Sequence, residues 1–267
     1  MPTPAREQQP HTQRAIAESY GSDAERYDRT RPRYPDALVE RIAAGSPGSD
    51  VLDVGMGTGI AGLAFRAHGC RVLGVEPDAR MAAFARSKGL DVEVAKFEDW
   101  DPAGRAFDAV VAGTVWHWVD PVDGADRAAR ALRPGGRLAL FWNAFQPAHD
   151  VAEAFTEAYA RAVPGMPMDW RRMTGPDAYA GVCATAADGI RKAAAFGAPE
   201  EWRFEWDRVY TREEWLDQVP TFGGHGQLPA EQLDALLSGL GDAVDAMGGS
   251  FSMHYTAVVV TAVRSGG

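Results

Sequence analysis

The chain has 267 residues, 46% of them apolar and 24% charged, and a formal net charge of −10. That apolar content supports one globular domain with a sizeable core. The acidic balance argues against nucleic acid, whose binders carry basic patches that neutralise phosphates. No N-terminal apolar segment and no run near the ~18 residues that cross a bilayer stands out, so a cytoplasmic protein without a membrane partner is expected. Cys70 and Cys183 lack C-x-x-C spacing and read as buried thiols. The sequence carries no signature of an oligomeric state.

Residues 1–14, rich in Pro, Gln and Thr, read as a disordered tail, and residues 15–267 as a single domain. An N-terminal helical lid is expected over 15–45: a helix, a connector broken at Pro32 and Pro35, and a second helix, with Tyr20, Tyr27 and Tyr34 along it. The apolar run Val51 to Val54 reads as a first strand. It ends in three glycines at alternate positions, Gly55, Gly57 and Gly59, and a small-residue helix over 61–68 follows. Glycine tolerates positive φ and has no Cβ, so the backbone can turn sharply and approach a ligand closely. The first N–H groups of the following helix then point at a polar or anionic group.

Strands over 71–76, 90–95, 107–113 and 137–142 alternate with helices over 79–88 and 121–132, and Pro134-Gly135-Gly136 reads as a turn before the fifth strand. Alternation of this kind indicates an α/β fold with a doubly wound, mostly parallel sheet. Beyond Asn143 come a helix over 150–163 and a Pro, Met and Gly-rich insertion over about 164–200. The insertion is expected to cap the site, with Met166, Met168, Trp170 and Met173 as apolar walls. Strands over 203–210 and 250–263, with helices over 211–219 and 229–247, complete the chain.

Two carboxylates flank the glycine loop. Asp53 ends the first strand and Glu76 ends the second, where an acidic side chain can accept both hydroxyls of a ribose. Dinucleotide folds use the same carboxylate, but their fingerprint is G-x-G-x-x-G, whereas the spacing here is D-x-G-x-G-x-G. Ligands of open α/β sheets lie beyond the carboxyl ends of the strands, so the loop Thr114 to Trp118 should face the site. His117, of reference pKa ~6.5, is a candidate proton acceptor or a simple hydrogen-bond partner. His225, in a Gly-flanked loop, is a substrate-side candidate or a solvated loop residue. The six histidines are scattered without ligand spacing, so no metal is expected. There is no G-x-S-x-G elbow to anchor hydrolase chemistry.

Taken together, DVGMGTG, GVEPDARM, AKFEDWD and GTVWHWVDP resemble the motifs of the class I S-adenosylmethionine (SAM) dependent methyltransferases of small-molecule type, including distant relatives of trans-aconitate methyltransferase. The C-terminal stretches WDRVYTREEWLDQVPTFGGHGQLP and GGSFSMHYTAVVVTAV resemble an actinobacterial group of the same enzymes. The resemblance implies a seven-stranded sheet of order 3-2-1-4-5-7-6 with strand seven antiparallel, SAM as cofactor, S-adenosylhomocysteine as product, no metal, and a small-molecule acceptor. It places Arg31 at the cofactor carboxylate and Asp53 at its ammonium end. Gly55, Gly57, Gly59, Glu76, Pro77, Met81, Phe97, Glu98, Thr114 and Trp116 complete the cofactor set, with Asp99 as an alternative to Glu98. His117 would be the catalytic residue, and Tyr20, Tyr27, Trp118, Asn143 and His225 would meet the substrate. A SAM-binding protein without methyl transfer, a nicotinamide oxidoreductase and a macromolecular methyltransferase remain as alternatives.

Overall fold

Short apolar runs separated by small-residue helical stretches fold as strands and crossover helices, as parallel pairing requires. The computed structural model describes residues 20–166, 168–172 and 175–266. The expected tail, the start of the lid and Met173 lie outside the described residues. The strands are β1 (Asp50–Val54), β2 (Arg71–Glu76), β3 (Asp91–Val94), β4 (Phe107–Gly113), β5 (Leu132–Pro147), β6 (Glu200–Thr211) and β7 (Ser250–Val263). They form one sheet in the order β3-β2-β1-β4-β5-β7-β6. Pairing is parallel through β5, and β7 runs antiparallel to both β5 and β6. Order and reversal are those the resemblance implied.

The described helices are α1 (Ala24–Thr30), α2 (Asp36–Ala44), α3 (Ile60–Ala67), α4 (Ala79–Ser87), α5 (Pro121–Ala131), α6 (His149–Ala162), α7 (Ala180–Ala193), α8 (Arg212–Gln218) and α9 (Ala230–Ala246). Side chains alternate between the two faces of each strand. Val110, Ala112, Leu140 and Trp142 join a core with α5 and α7, while Ala109, Val111, Ala139 and Phe141 join one with α2 and α3. Asp53 shares the second face with Val51, so a carboxylate occupies what is otherwise a core position. Local signals set the helix starts: the Asp120 side chain accepts from the Val122 and Asp123 N–H groups, and Thr211 with Glu214 forms a capping box on α8.

Three departures from expectation bear on the site. β5 runs over Leu132–Pro147, longer than the expected 137–142. Its pairing with β4 jumps from Phe107↔Leu132 to Ala109↔Arg137, so Pro134-Gly135-Gly136 is an irregularity within the strand, with Gly135 at φ 78°. Beyond Phe141, β5 leaves β4 and pairs with β7 alone, which in turn pairs with β6. An antiparallel three-stranded arm thus extends past the end of the parallel sheet.

The third departure concerns the insertion. α7 packs Cys183, Ala186 and Ile190 into the sheet core beside α5. A Cβ on Gly189 would stand 2.2 Å from the Pro121 carbonyl oxygen, so the two helices approach backbone to backbone. Trp170 is fully buried between Phe155 and Trp215, at ring-centroid distances of 5.6 Å each, and Met166 and Met168 pack against the same cluster. These residues complete a separate aromatic core of α6, α8 and α9 with the arm, and line no part of the site cavities described below.

Candidate functional site

The glycine loop has the conformation that its composition demands. Gly55, Gly57 and Gly59 all have positive φ, at 62°, 58° and 87°, where side-chain-bearing residues are strained. The Gly55 and Met56 N–H groups donate to the Val75 carbonyl at 2.8 and 3.2 Å, which ties the bend to the end of β2. The three glycines differ in what lies beside them. A Cβ on Gly55 would stand 2.2 Å from Val115 Cγ2, and one on Gly59 would stand 2.3 Å from Leu90 Cδ1. A Cβ on Gly57 would meet nothing nearer than 4.0 Å. Gly55 and Gly57 line the cavity that opens here, whereas Gly59 is absent from its walls and serves the packing of α3 against Leu90. Gly59 is thus removed from the expected ligand contacts.

Two carboxyls stand at this bend. Glu76 Oε2 accepts from the Gly57 N–H at 2.7 Å and Oε1 from the Asp78 N–H at 2.9 Å. Burial raises its pKa, and those two N–H groups oppose the rise. Asp53 is 1% exposed and its Oδ2 has no partner. Burial first, and the neighbouring Glu76 carboxylate second, push the Asp53 pKa up to about 8, against a lowering by the Gly62 N–H.

The bend opens to a cavity of about 590 Å³. Glu76, Pro77, Met81, Phe97 and Glu98 line it, together with Tyr20, Tyr27, Arg31, Thr114, His117 and Trp118. Asp99 is not among the lining residues, whereas Glu98 is. The Arg31 guanidinium lies 4.7 Å from the Tyr27 ring centroid and donates through one terminal nitrogen to the Thr221 carbonyl. Its Nε is buried without a partner. α1 is held down by Asp217, which accepts from Arg26 Nε at 3.0 Å and from Arg29 Nε at 2.9 Å. At its other flank, Lys88 Nζ donates to Asp28 at 2.6 Å.

A second, smaller chamber of about 100 Å³ adjoins the first. Tyr27, Arg31, Gly55, Gly57, Gly113 and Thr114 line both. Thr114, at φ 56°, holds the boundary, with its hydroxyl 2.9 Å from the Tyr34 hydroxyl. Five buried polar atoms that lack a hydrogen bond belong to residues of this chamber: Arg31 Nε, Asp53 Oδ2, Thr58 Oγ1, Asn143 Oδ1 and Gln218 Oε1. An unsatisfied buried polar group costs ~1–3 kcal/mol. Residues with such atoms cluster about this chamber.

Three expected residues stand elsewhere or act otherwise. Trp116 is 2% exposed and lies in the sheet core with Phe97, at a centroid distance of 6.1 Å, lining neither cavity. Residues 116–118 form a 3-10 turn, whose three residues per turn send consecutive side chains about 120° apart, so Trp116 points inward while His117 and Trp118 reach the cavity. His225 is fully buried, with Nε2 2.8 Å from the Tyr159 hydroxyl, and lines neither cavity. It is a core residue of the aromatic cluster. His117 Nδ1 accepts from the Trp142 indole N–H at 3.3 Å. Indole nitrogen only donates, so the His117 ring is neutral with its proton on Nε2, and burial lowers its pKa to about 4. It therefore offers an N–H donor at Nε2, the hydrogen-bonding role of the two the sequence left open. Tyr34, Gln218, Phe222 and Tyr255, which the expected site residues did not include, line the smaller chamber. Only Tyr34 had a sequence signal, its place in the series Tyr20, Tyr27, Tyr34.

A family profile described as a methyltransferase domain matches residues 52–140, which run from β1 into β5 and contain the bend, Glu76 and the loop after β4. Residues 52–140 match a methyltransferase domain, and the sheet order is that of the class I methyltransferase fold. An uncharacterized methyltransferase of Mycobacterium tuberculosis is 36% identical over 135 residues, 49% of this chain and 55% of that protein. Malonyl-[acyl-carrier protein] O-methyltransferase of Enterobacter lignolyticus is 31% identical over 168 residues, 61% of each chain. The chain spans about half the length of the first of these relatives, 55%, and somewhat more of the second. A solved structure from Anaeromyxobacter dehalogenans described as a type II methyltransferase shares the fold, with a TM-score of 0.62, 20% identity, and coverage of 89% of this chain and 99% of that one. No group of three or more metal-ligating side chains occurs among the described residues of the chain. None of its described helices is long and apolar enough to cross a membrane.

Proposed function

We propose that this domain transfers the methyl group of SAM to a small-molecule nucleophile and leaves S-adenosylhomocysteine. The observation that carries this reading is the pair of adjoining cavities, one of about 590 Å³ and one of about 100 Å³, that meet at the glycine bend and Thr114. The smaller, bordered by Asp53 and Arg31, suits the amino-acid end of the cofactor, and the concave larger one suits its nucleoside and a small acceptor better than a macromolecular surface.

The residues fit the cofactor on their own chemistry. Glu76, already oriented by two backbone N–H groups, keeps lone pairs for a ribose diol. The unpartnered Asp53 Oδ2 suits an ammonium, and the unpartnered Arg31 Nε suits a carboxylate. Met81 and Phe97 offer apolar walls to a flat base, with Glu98 at the rim to accept from an amino group. Gly57 leaves free the space that a side chain would fill.

When bound, SAM supplies a methyl group on a positive sulfur, already activated toward nucleophiles. The protein's share is alignment and exclusion of water, which contributes up to ~7–11 kcal/mol in favourable cases. Tyr20, Tyr27, Arg31 and Trp118 line the larger cavity, and Thr114 lines both. His117 donates from Nε2 and orients a polar group rather than removing a proton.

Calorimetry with S-adenosylhomocysteine tests the cofactor half: binding is expected, and Glu76→Ala should weaken it at least ~tenfold through loss of a charged acceptor. Incubation of a cell extract with methyl-labelled SAM tests the acceptor half, with label expected in the small-molecule fraction. Binding of NAD(H) without S-adenosylhomocysteine, or label confined to macromolecules, would overturn the reading.

A further inference from the structure

We infer that Trp142, which lines neither cavity, is a positioning residue for the acceptor: its indole N–H holds the His117 ring so that Nε2–H faces the larger cavity as a fixed donor to an oxygen lone pair. The word acceptor rests on the methyl-transfer reading above; the orientation of the ring rests on the hydrogen bond alone. Trp142 follows Phe141, the last residue of β5 to pair with β4, and its side chain joins the core that β5 shares with α5 and α7. It is 1% exposed, so its N–H has no access to water. The partner it finds is His117 Nδ1, at 3.3 Å. Pairing of this kind is not the rule in this fold: the buried indole nitrogens of Trp116, Trp170, Trp206 and Trp215 have no partner.

The constraint runs one way. A neutral imidazole carries its proton on either nitrogen, and the hydrogen bond at one decides the other. An indole nitrogen only donates, so a proton on Nδ1 would set two N–H groups against each other. Burial lowers the pKa of His117 to about 4, which keeps the ring neutral and the two nitrogens distinct. The backbone beneath is fixed as well, since the Trp118 N–H donates to the Val115 carbonyl at 2.8 Å and the Val119 N–H to the Trp116 carbonyl at 3.1 Å. The Trp118 ring packs beside the imidazole at a centroid distance of 4.8 Å. Among the described residues Nε2 has no hydrogen-bond partner, and it is not one of the buried polar atoms that lack one, so it reaches the open space of the cavity. A donor held there accepts an oxygen lone pair and rejects an ammonium.

Histidine-ring 15N spectra of the labelled full chain read the orientation, with His117 assigned by the signal that His117→Asn removes. The wild type should carry its proton on Nε2 alone. Trp142→Phe keeps an aromatic ring in the core and should let the proton exchange between the two nitrogens, drawing their shifts together, with a thermal melt confirming that it folds. Methyl-labelled SAM and a cell extract read the acceptor, as the rate of labelling of the small-molecule fraction, beside S-adenosylhomocysteine affinity. His117→Asn keeps an acceptor for the indole where Nδ1 stood and removes the donor, so it should melt like the wild type and label roughly tenfold more slowly, the effect of one well-made hydrogen bond. His117→Gln, whose amide N–H reaches about as far as Nε2, should recover part of that loss. These two variants test the donor whether or not Trp142→Phe folds. A proton on Nδ1 in the wild type, shifts unmoved by Trp142→Phe, labelling untouched by His117→Asn, or a loss matched by an equal loss of S-adenosylhomocysteine affinity would overturn the inference. No labelling and no S-adenosylhomocysteine binding, with the proton fixed in the wild type and released in Trp142→Phe, overturns the methyl-transfer reading and supports the positioning of His117 by Trp142.

Discussion

Asp53 shows how one misplaced charge sets up a site. A carboxyl in a core position beside Glu76 keeps its proton up to about pH 8, whereas the same group in the unfolded chain releases it near 3.8. The folded state therefore holds the extra proton between those values. Asp53 costs nothing below pH 3.8, and stability falls as pH rises from there through about 8. Asp53→Asn should flatten the pH dependence of the melting temperature across this window. An ammonium placed against Oδ2 favours the ionised form, so cofactor binding near neutral pH should release protons. Calorimetry in two buffers of different ionisation enthalpy reads that release, which should vanish in Asp53→Asn.

The glycines yield a second prediction at the same scale. Gly57→Ala adds a Cβ into open space, with strain of ~1–2 kcal/mol from its positive φ, and should remove cofactor binding while the protein still folds. Gly55→Ala drives a Cβ into Val115 and should lower the melting temperature further. If both variants bind S-adenosylhomocysteine like the wild type, the bend is not the cradle.

Among the elements, α1 and its C-cap line both cavities through Tyr27 and Arg31, yet the helix is seven residues long and held by exposed ion pairs to Asp217 and a half-buried one between Asp28 and Lys88. Exposed pairs add little to global stability. Asp217→Ala should therefore leave the melting temperature nearly unchanged and raise the cofactor dissociation rate in stopped-flow measurements. An unchanged rate would show that α1 needs no latch.

What the sequence disclosed follows the range of each signal. The bend and the strand–helix alternation were legible because strand, glycines and helix are contiguous in the chain, whereas the sheet order came from the resemblance of the motifs to a known family. Trp116 was misplaced because the spacing W-H-W does not say that a 3-10 turn will split its side chains between core and cavity. His225 looked like a loop residue because its partner, Tyr159, lies 66 positions away. Gln218 and Tyr255 escaped notice for the same reason: the arm and α8 bring them to Asn143 only through the fold.

For the whole molecule, three aromatic-rich cores divide the work. The two cores of the sheet faces stiffen the strands whose ends carry the bend, and the cluster of α6, α8 and α9 supports the arm. Trp170→Ala, at the centre of that cluster, should cost roughly 3–5 kcal/mol, measurable by urea unfolding. Cofactor affinity in the folded fraction should hold, because Trp170 lines neither cavity. A stability change within error would mean that the cluster is not the arm's foundation.

The arm past Phe141 divides the walls of the smaller chamber between two parts of the sheet. Asn143, Phe145 and Tyr255 ride on antiparallel strands that have parted from β4, while Asp53 and the glycine bend belong to β1 and the loop after it. Substitutions at the tips of those outer strands can therefore reshape the hollow while leaving the backbone of the bend untouched.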